Sequence, residues 1–179
     1  MGAYEAGTKI CGILASETYT FTNEGGVSIQ VVTTGTLHCL YVDQTGIDHP
    51  HATGTSGGSG LKTGHYWTLR GFASDGTTDA ASYTVNLTLP HDDVNDPQVC
   101  RYTGGAGYGW DCAATGFDSN RVWREGITGF SDWTVGQHVG PTSVTLRGFV
   151  ARGKVAISAL GLLLLGVLGA VLVLRRRRQ

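Results

Sequence analysis

Apolar and polar residues alternate along several short stretches of the chain, most clearly over residues 82–89. Four apolar side chains there alternate with Thr84, Asn86 and Thr88. This pattern buries one face of a strand and leaves the other in water, as a half-buried antiparallel strand requires. Comparable stretches, separated by turn residues, predict strands at residues 18–22, 27–33, 37–43, 65–72, 99–102, 110–113, 121–125 and 132–135. Many short strands with turns between them predict an all-β fold, an antiparallel β-sandwich of the Ig-like or jelly-roll-like kind.

A different pattern begins at Val155 and ends at Leu174, where twenty consecutive residues carry no charge. A helix rises about 1.5 Å per residue, so this length covers the roughly 30 Å hydrocarbon core of a bilayer. The stretch predicts a single C-terminal transmembrane helix. Four basic residues follow it at once: Arg175, Arg176, Arg177 and Arg178. The predicted organisation is a β-sandwich domain over 1–140, a juxtamembrane connector over 141–154, the membrane helix over 155–174 and a basic tail over 175–179.

Charge is distributed unevenly along the chain. Residues 1–140 hold all fourteen acidic residues but only six of the thirteen Lys and Arg, a formal balance of −8. Basic residues stay on the cytoplasmic side of a membrane, so we expect the tail inside and the acidic domain outside. The same negative balance disfavours a nucleic-acid partner, because binding phosphate requires the opposite sign.

The N-terminal residues contain neither a basic segment nor an apolar run that would act as an export signal. Two hypotheses follow. Either the chain is the C-terminal part of a longer exported protein whose leader lies upstream, or it is tail-anchored with the domain inside the cell. We favour the first, because tail anchoring would place the four arginines on the wrong side.

Four cysteines, at positions 11, 39, 100 and 112, permit three disulfide pairings. Cys100 and Cys112 occupy corresponding places on the two arms of a predicted hairpin, where side chains lie close enough to form a bridge. We predict that pair and, by elimination, a bond between Cys11 and Cys39. Such bonds persist in oxidising compartments, in agreement with an outside domain. The alternative is a zinc site, but the sequence lacks any C-x-x-C pair.

Two patterns suggest a binding function. Asp92, Asp93, Asn95 and Asp96 place several oxygen ligands in one turn, and calcium prefers oxygen. Their spacing differs from that of an EF-hand loop, so an exposed acidic turn is the other interpretation. We therefore expect no cofactor, with calcium as the alternative. Tryptophans exposed together would form a face for sugars, although a domain of this size is expected to bury most of them. The four are Trp67, Trp110, Trp123 and Trp133.

Two other patterns suggest catalysis. Ser56 lies in a G-x-S-x-G sequence similar to the serine loop of trypsin-like proteases, yet it is surrounded by Gly, Ser and Thr and no helix follows. His49 and His51, with His65 further along, offer imidazole ligands of the kind zinc or copper accepts. We interpret the first as a flexible loop and the second as polar surface, and a small hydrolase or metal enzyme remains as the third hypothesis.

Several segments resemble the C-terminal β-sandwich parts of large secreted or surface-anchored bacterial proteins. They are VCRYTGGAGYGWDCAA, FSDWTVG, PTSVTL and, upstream, LKTGHYWTLRG, and the resemblance covers roughly residues 27–150. It implies a stalk or surface module rather than an enzyme. The end of the chain is similar to bacterial sorting signals, which combine a short motif, a hydrophobic span and a basic end. No LPxTG motif precedes the span here, so retention as a membrane anchor is expected.

Together these features predict a non-catalytic, membrane-anchored module of a bacterial cell surface with a structural, display or adhesion role. Its expected partners are the lipid bilayer and other surface proteins or glycans. The runner-up is a calcium- or carbohydrate-binding surface domain.

Overall fold

The computed structural model describes residues 7–52, 60–62, 64–92, 94–104 and 109–138. These residues are all-β, as predicted, and form twelve strands in two antiparallel sheets. In chain order the strands are β1 (Thr8–Cys11), β2 (Thr18–Phe21), β3 (Val27–Thr33), β4 (Cys39–Thr45), β5 (Gly60–Leu61), β6 (Tyr66–Phe72), β7 (Thr84–Pro90), β8 (Pro97–Gly104), β9 (Gly109–Ala113), β10 (Gly116–Phe117), β11 (Arg121–Ile127) and β12 (Asp132–Gln137).

The larger sheet, sheet A, has the strand order β1-β4-β6-β12-β8-β9, and the short β5 also pairs with β12. The smaller sheet, sheet B, has the order β10-β11-β7-β3-β2. The last strand, β12, lies between β6 and β8 near the middle of sheet A. Sheet A therefore cannot be completed until residues 132–137 have been placed between β6 and β8.

The predicted strands are confirmed with small shifts of their ends, and three strands were not predicted. In β7 buried and half-buried positions alternate along the whole strand, as the sequence pattern requires. The strands missed were β1, β5 and β10. The first has only Ile10 as an aliphatic residue, and the other two contain two residues each, which is too short for a periodic signal.

The apolar faces of the two sheets meet in one core. Val31, Val85 and Leu87 of sheet B are fully buried, as are Leu40 and Leu69 of sheet A. Burying one such side chain fully contributes about 1.5–3 kcal/mol. This shared layer holds the sheets face to face.

Three of the four tryptophans are buried, as expected for a domain of this size. Trp67 of β6 and Trp133 of β12 are paired in register, and both are 0% exposed within the core between the sheets. Trp110 of β9 is 1% exposed, whereas Trp123 is half-buried. These three buried indoles are therefore not available as a stacking surface for sugars.

A buried carboxylate, Glu24, joins the sheets at one end. It lies in a 3₁₀ turn (Thr22–Glu24) between β2 and β3 and is 6% exposed. One carboxylate oxygen accepts a hydrogen bond from Thr8 Oγ1 at 2.9 Å, and the other accepts one from the Gln44 backbone N–H at 2.8 Å. Its backbone carbonyl accepts a bond from Trp67 Nε1 at 2.9 Å. Glu24, in the connection between β2 and β3 of sheet B, is thus hydrogen-bonded to β1, β4 and β6 of sheet A.

Glu24 also affects its surroundings electrostatically. Burial, and then the negative charge of Glu24, raise the pKa of Asp43 above its ordinary value. Two carboxylates held close together disfavour each other's ionisation. The position of Glu24 that makes its hydrogen bonds is therefore electrostatically unfavourable for Asp43.

We expect Glu24→Ala to destabilise the domain by about 1–3 kcal/mol, because two part-buried donors lose their acceptors. Denaturant unfolding followed by tryptophan fluorescence measures this difference. The matched control is Glu17→Ala, which removes an exposed carboxylate and should change stability by no more than about 0.5 kcal/mol. Equal effects of the two substitutions would show that the Glu24 contacts do not brace the sheets.

The predicted connector, membrane helix and tail lie outside the described residues, and so do the anchor residues from Val155 to Arg178. Among the residues described, no helix is long and apolar enough to cross a membrane.

Candidate functional site

Both predicted disulfides are confirmed. Cys11 bonds Cys39 across the β1–β4 pair, and Cys100 bonds Cys112 across the β8–β9 pair. In each case the two cysteines are direct cross-strand partners. Closing loops of this length contributes on the order of 3 kcal/mol in the chain-entropy model. The two bonds fasten the outermost strands at both edges of sheet A.

A glycine makes room for one of these bonds. A Cβ atom added at Gly136 of β12 would lie 2.5 Å from the Cys100 sulfur and 3.7 Å from the Cys112 sulfur. The first distance is far below van der Waals contact, and Cys100 is fully buried, so its sulfur has little freedom to move. The sequence pattern gave no sign of this requirement, because Gly136 and Cys100 become neighbours only when β12 pairs with β8.

We expect Gly136→Ala to destabilise the domain by about 1–3 kcal/mol through overpacking against the Cys100–Cys112 bond. The measurement is thermal or denaturant unfolding in oxidising buffer. The same substitution in a Cys100→Ala, Cys112→Ala background should cost less, because smaller side chains relieve the contact. An unchanged cost in that background would show that the glycine is needed for another reason.

His49 lies at the centre of a group of rings on the face of sheet A that points away from sheet B. It is 8% exposed. Its ring centroid lies 4.8 Å from that of Tyr66, 4.7 Å from that of Tyr102 and 4.9 Å from that of Trp110. The ring of His51 stacks on Tyr102 with a centroid distance of 5.5 Å. We call these five residues the His49 cluster.

Both ring nitrogens of His49 have partners. Nδ1 accepts a hydrogen bond from the His51 backbone N–H at 3.1 Å, so the proton of the neutral ring is on Nε2. Nε2 lies 3.3 Å from Asp132 Oδ2. The other Asp132 oxygen accepts a bond from Thr68 Oγ1 at 2.8 Å. In this arrangement His49 has no free nitrogen for a metal or for a proton from a nucleophile, and the cluster fastens the loop after β4 to sheet A.

The other residues of the catalytic hypotheses are not brought to His49. Ser56 lies outside the described residues, so the hydrolase hypothesis stays a prediction. His65 packs edge-on against Trp67, with ring centroids 4.7 Å apart. Burial, and then the charge of Lys62, lower the pKa of His65, which favours the neutral ring. Within the described part of the chain, no three His, Cys, Asp or Glu side chains are grouped as a metal site would require.

The predicted calcium ligands in the acidic turn between β7 and β8 make different contacts where the structure describes them. Asp92 forms an ion pair with Lys62, which follows β5. Asn95 and Asp96 line a cleft instead, and Asp93 is not among the described residues. Asp96 has a positive φ of 49°, a conformation that Asp and Asn tolerate better than most residues. The calcium hypothesis stays a prediction that none of these contacts tests.

That cleft has a volume of about 540 Å³ and opens at one end of the domain, between the acidic turn and the segment that joins β10 to β11. Val94, Asn95, Asp96, Phe117, Asp118, Ser119 and His91 line it. We call it the turn cleft. Only the acidic turn could be recognised from the sequence. The segment that forms the other wall follows more than twenty residues later, and the pairing of β7 with β11 brings the two together.

His91 joins the two walls of the turn cleft. Its backbone N–H donates to the Asn120 carbonyl at 2.9 Å. Its Nε2 lies 3.1 Å from the Asp118 carbonyl, which can only accept, so the proton of the neutral ring is on Nε2. His91 is 7% exposed, and its Nδ1 has no hydrogen-bond partner in the described structure. Arg101 Nε and Trp133 Nε1 are likewise buried without a partner in the described structure, so this atom alone does not mark a site. The volume of the turn cleft and its exposed Phe117 ring make it the candidate binding site.

No family model, curated protein or solved structure matches this chain. The resemblance to bacterial surface proteins therefore stays a prediction.

Proposed function

We propose that the chain is a non-catalytic β-sandwich module displayed on the outside of a bacterial cell, anchored by the apolar stretch from Val155 to Leu174 with its basic tail in the cytoplasm. The observation that carries this proposal is the pair of disulfides at the two edges of sheet A. Structural disulfides of this kind persist outside the reducing cytoplasm.

Charge and chain order support the same placement. The acidic domain is followed by an uncharged stretch of twenty residues and then by four arginines. Arginines at the end of a membrane span favour the cytoplasmic side, and an excess of negative charge keeps a displayed domain soluble. The domain's contribution is then mechanical: a rigid, doubly braced body for display or adhesion.

Within the sandwich class we assign the domain to the jelly-roll-like type. In an Ig-like sandwich the last two strands are neighbours in one sheet. Here β11 belongs to sheet B, whereas β12 lies in sheet A between β6 and β8. The chain also passes from one sheet to the other between β1 and β2, β3 and β4, β6 and β7, β7 and β8, and β9 and β10. Such repeated crossing is the reason for the assignment.

Protease treatment of intact cells of the native host tests the placement. We expect peptides from residues 7–138 to be released without lysis, while peptides from cytoplasmic proteins stay protected. A variant truncated before Val155 should leave the membrane fraction and appear in the soluble extracytoplasmic fraction. If the domain were cleaved only after lysis, the tail-anchored arrangement would replace this proposal.

A second candidate function is ligand binding by the same displayed domain. The turn cleft favours it, because the cleft combines two carboxylate side chains with an exposed aromatic ring. Carbohydrate is the ligand that suits these groups better than calcium, since the cleft's acidic side chains do not converge as metal ligands within the described residues. Catalysis is the third candidate and has no comparable observation in its favour.

A further inference from the structure

The turn cleft has the size of a small-molecule site. Its volume of about 540 Å³ falls within the roughly 300–1,000 Å³ of typical ligand pockets. Hydrogen bonds within and between its walls fix its shape. Asp118 Oδ1 accepts the backbone N–H groups of Asn120 and Arg121 at 2.9 Å each, and His91 holds this turn against the acidic turn.

The cleft is rich in hydrogen-bond acceptors. Asp96 and Asp118 contribute carboxylates to its lining, and Asn95 and Ser119 contribute an amide and a hydroxyl. Nδ1 of His91 is too deeply buried for a ligand to reach. No Lys or Arg is among the described residues that line the cleft. A ligand that satisfies these groups must supply several donors, and the carboxylates of Asp96 and Asp118 disfavour an anion.

An exposed aromatic ring stands beside these acceptors. Phe117 of the edge strand β10 is 50% exposed, although a ring of this size usually gains by burial. Val94 lines the same cleft and packs against the core. The cleft therefore pairs an apolar surface with an acceptor-rich surface, so its ligand should have one face of C–H groups and a periphery of O–H groups.

We propose that the turn cleft binds a neutral glycan, with one sugar ring on Phe117 and its hydroxyl groups donating to the carboxylates of Asp96 and Asp118. The amide of Asn95 and the hydroxyl of Ser119 both donate and accept, which suits hydroxyl groups that do the same. An organic cation fits less well, because cation sites of this kind enclose the charge between several aromatic rings and the cleft presents one. The choice of a glycan rests on the proposed function, since a displayed domain meets glycans outside the cell.

The test is a binding titration on the full chain, purified in a detergent without a sugar headgroup. The probes are the methyl glycosides of glucose, galactose, mannose and N-acetylglucosamine, with tetramethylammonium chloride and calcium chloride as competing classes. We expect at least one glycoside to bind with a Kd in the range of roughly 0.1–10 mM, as measured by calorimetry or ligand-observed NMR. Phe117→Ala should weaken that binding at least about tenfold, while Phe117→Tyr retains it.

The control is Leu14→Ala, which removes another exposed apolar side chain, 63% exposed, that does not line the cleft. It should leave the glycoside affinity unchanged, and circular dichroism verifies that each variant folds. Asp96→Asn tolerates the same backbone conformation and should weaken binding severalfold by replacing a carboxylate acceptor.

Three results would overturn the proposal. They are the absence of binding by every glycoside, equal losses from Phe117→Ala and Leu14→Ala, and binding of tetramethylammonium or calcium in place of the sugars. The test is separate from that of membrane placement. A domain found inside the cell would leave a measured sugar affinity intact, and absence of sugar binding would leave protease accessibility intact.

Discussion

The structure depends on one layer of apolar side chains shared by the two sheets. Neither sheet buries its inner face alone, and strands of both sheets contribute fully buried residues to the same core. Trp67 and Trp133 stand side by side in its middle, on strands that are far apart in sequence. At one end of the layer the carboxylate of Glu24 takes hydrogen bonds from sheet A and so fixes how the sheets meet. That end also carries the turn cleft, because β3 begins where β7 ends, next to the start of β11.

A second set of contacts, outside the core, lies on the outward face of sheet A and holds its edge strands and a surface loop in place. The two disulfides fasten its edge strands, and the His49 cluster fastens a long loop over the surface between them. His49 was interpreted from the sequence as polar surface, whereas in the structure it is buried and its ring nitrogens face the His51 N–H and the Asp132 carboxylate. A domain braced in this way resists local opening.

Local pattern was enough to predict most strands, the fold class and the disulfide pairing. The alternation in β7 and the matched positions of Cys100 and Cys112 on a hairpin depend only on residues close together in sequence. Such local features can be recognised without knowing the fold. What could not be predicted arises from long-range contacts. The order of the strands, the need for Gly136 beneath a sulfur atom, the burial of Glu24 and the second wall of the turn cleft all require strands from distant parts of the chain to be brought together. The acidic turn illustrates the difference: its charges were visible in the sequence, whereas the ion pair of Asp92 with Lys62 and the cleft that Asn95 and Asp96 share with Phe117 and Asp118 were not.

The central claim is that this domain matures in an oxidising space outside the cytoplasm. The most direct measurement is mass spectrometry of protein taken from its native host, with free thiols blocked at the moment of lysis and disulfides reduced and labelled afterwards. The account predicts that all four cysteines carry the second label, with Cys11 joined to Cys39 and Cys100 joined to Cys112 in peptides digested without reduction. Four thiols carrying the first label would contradict it.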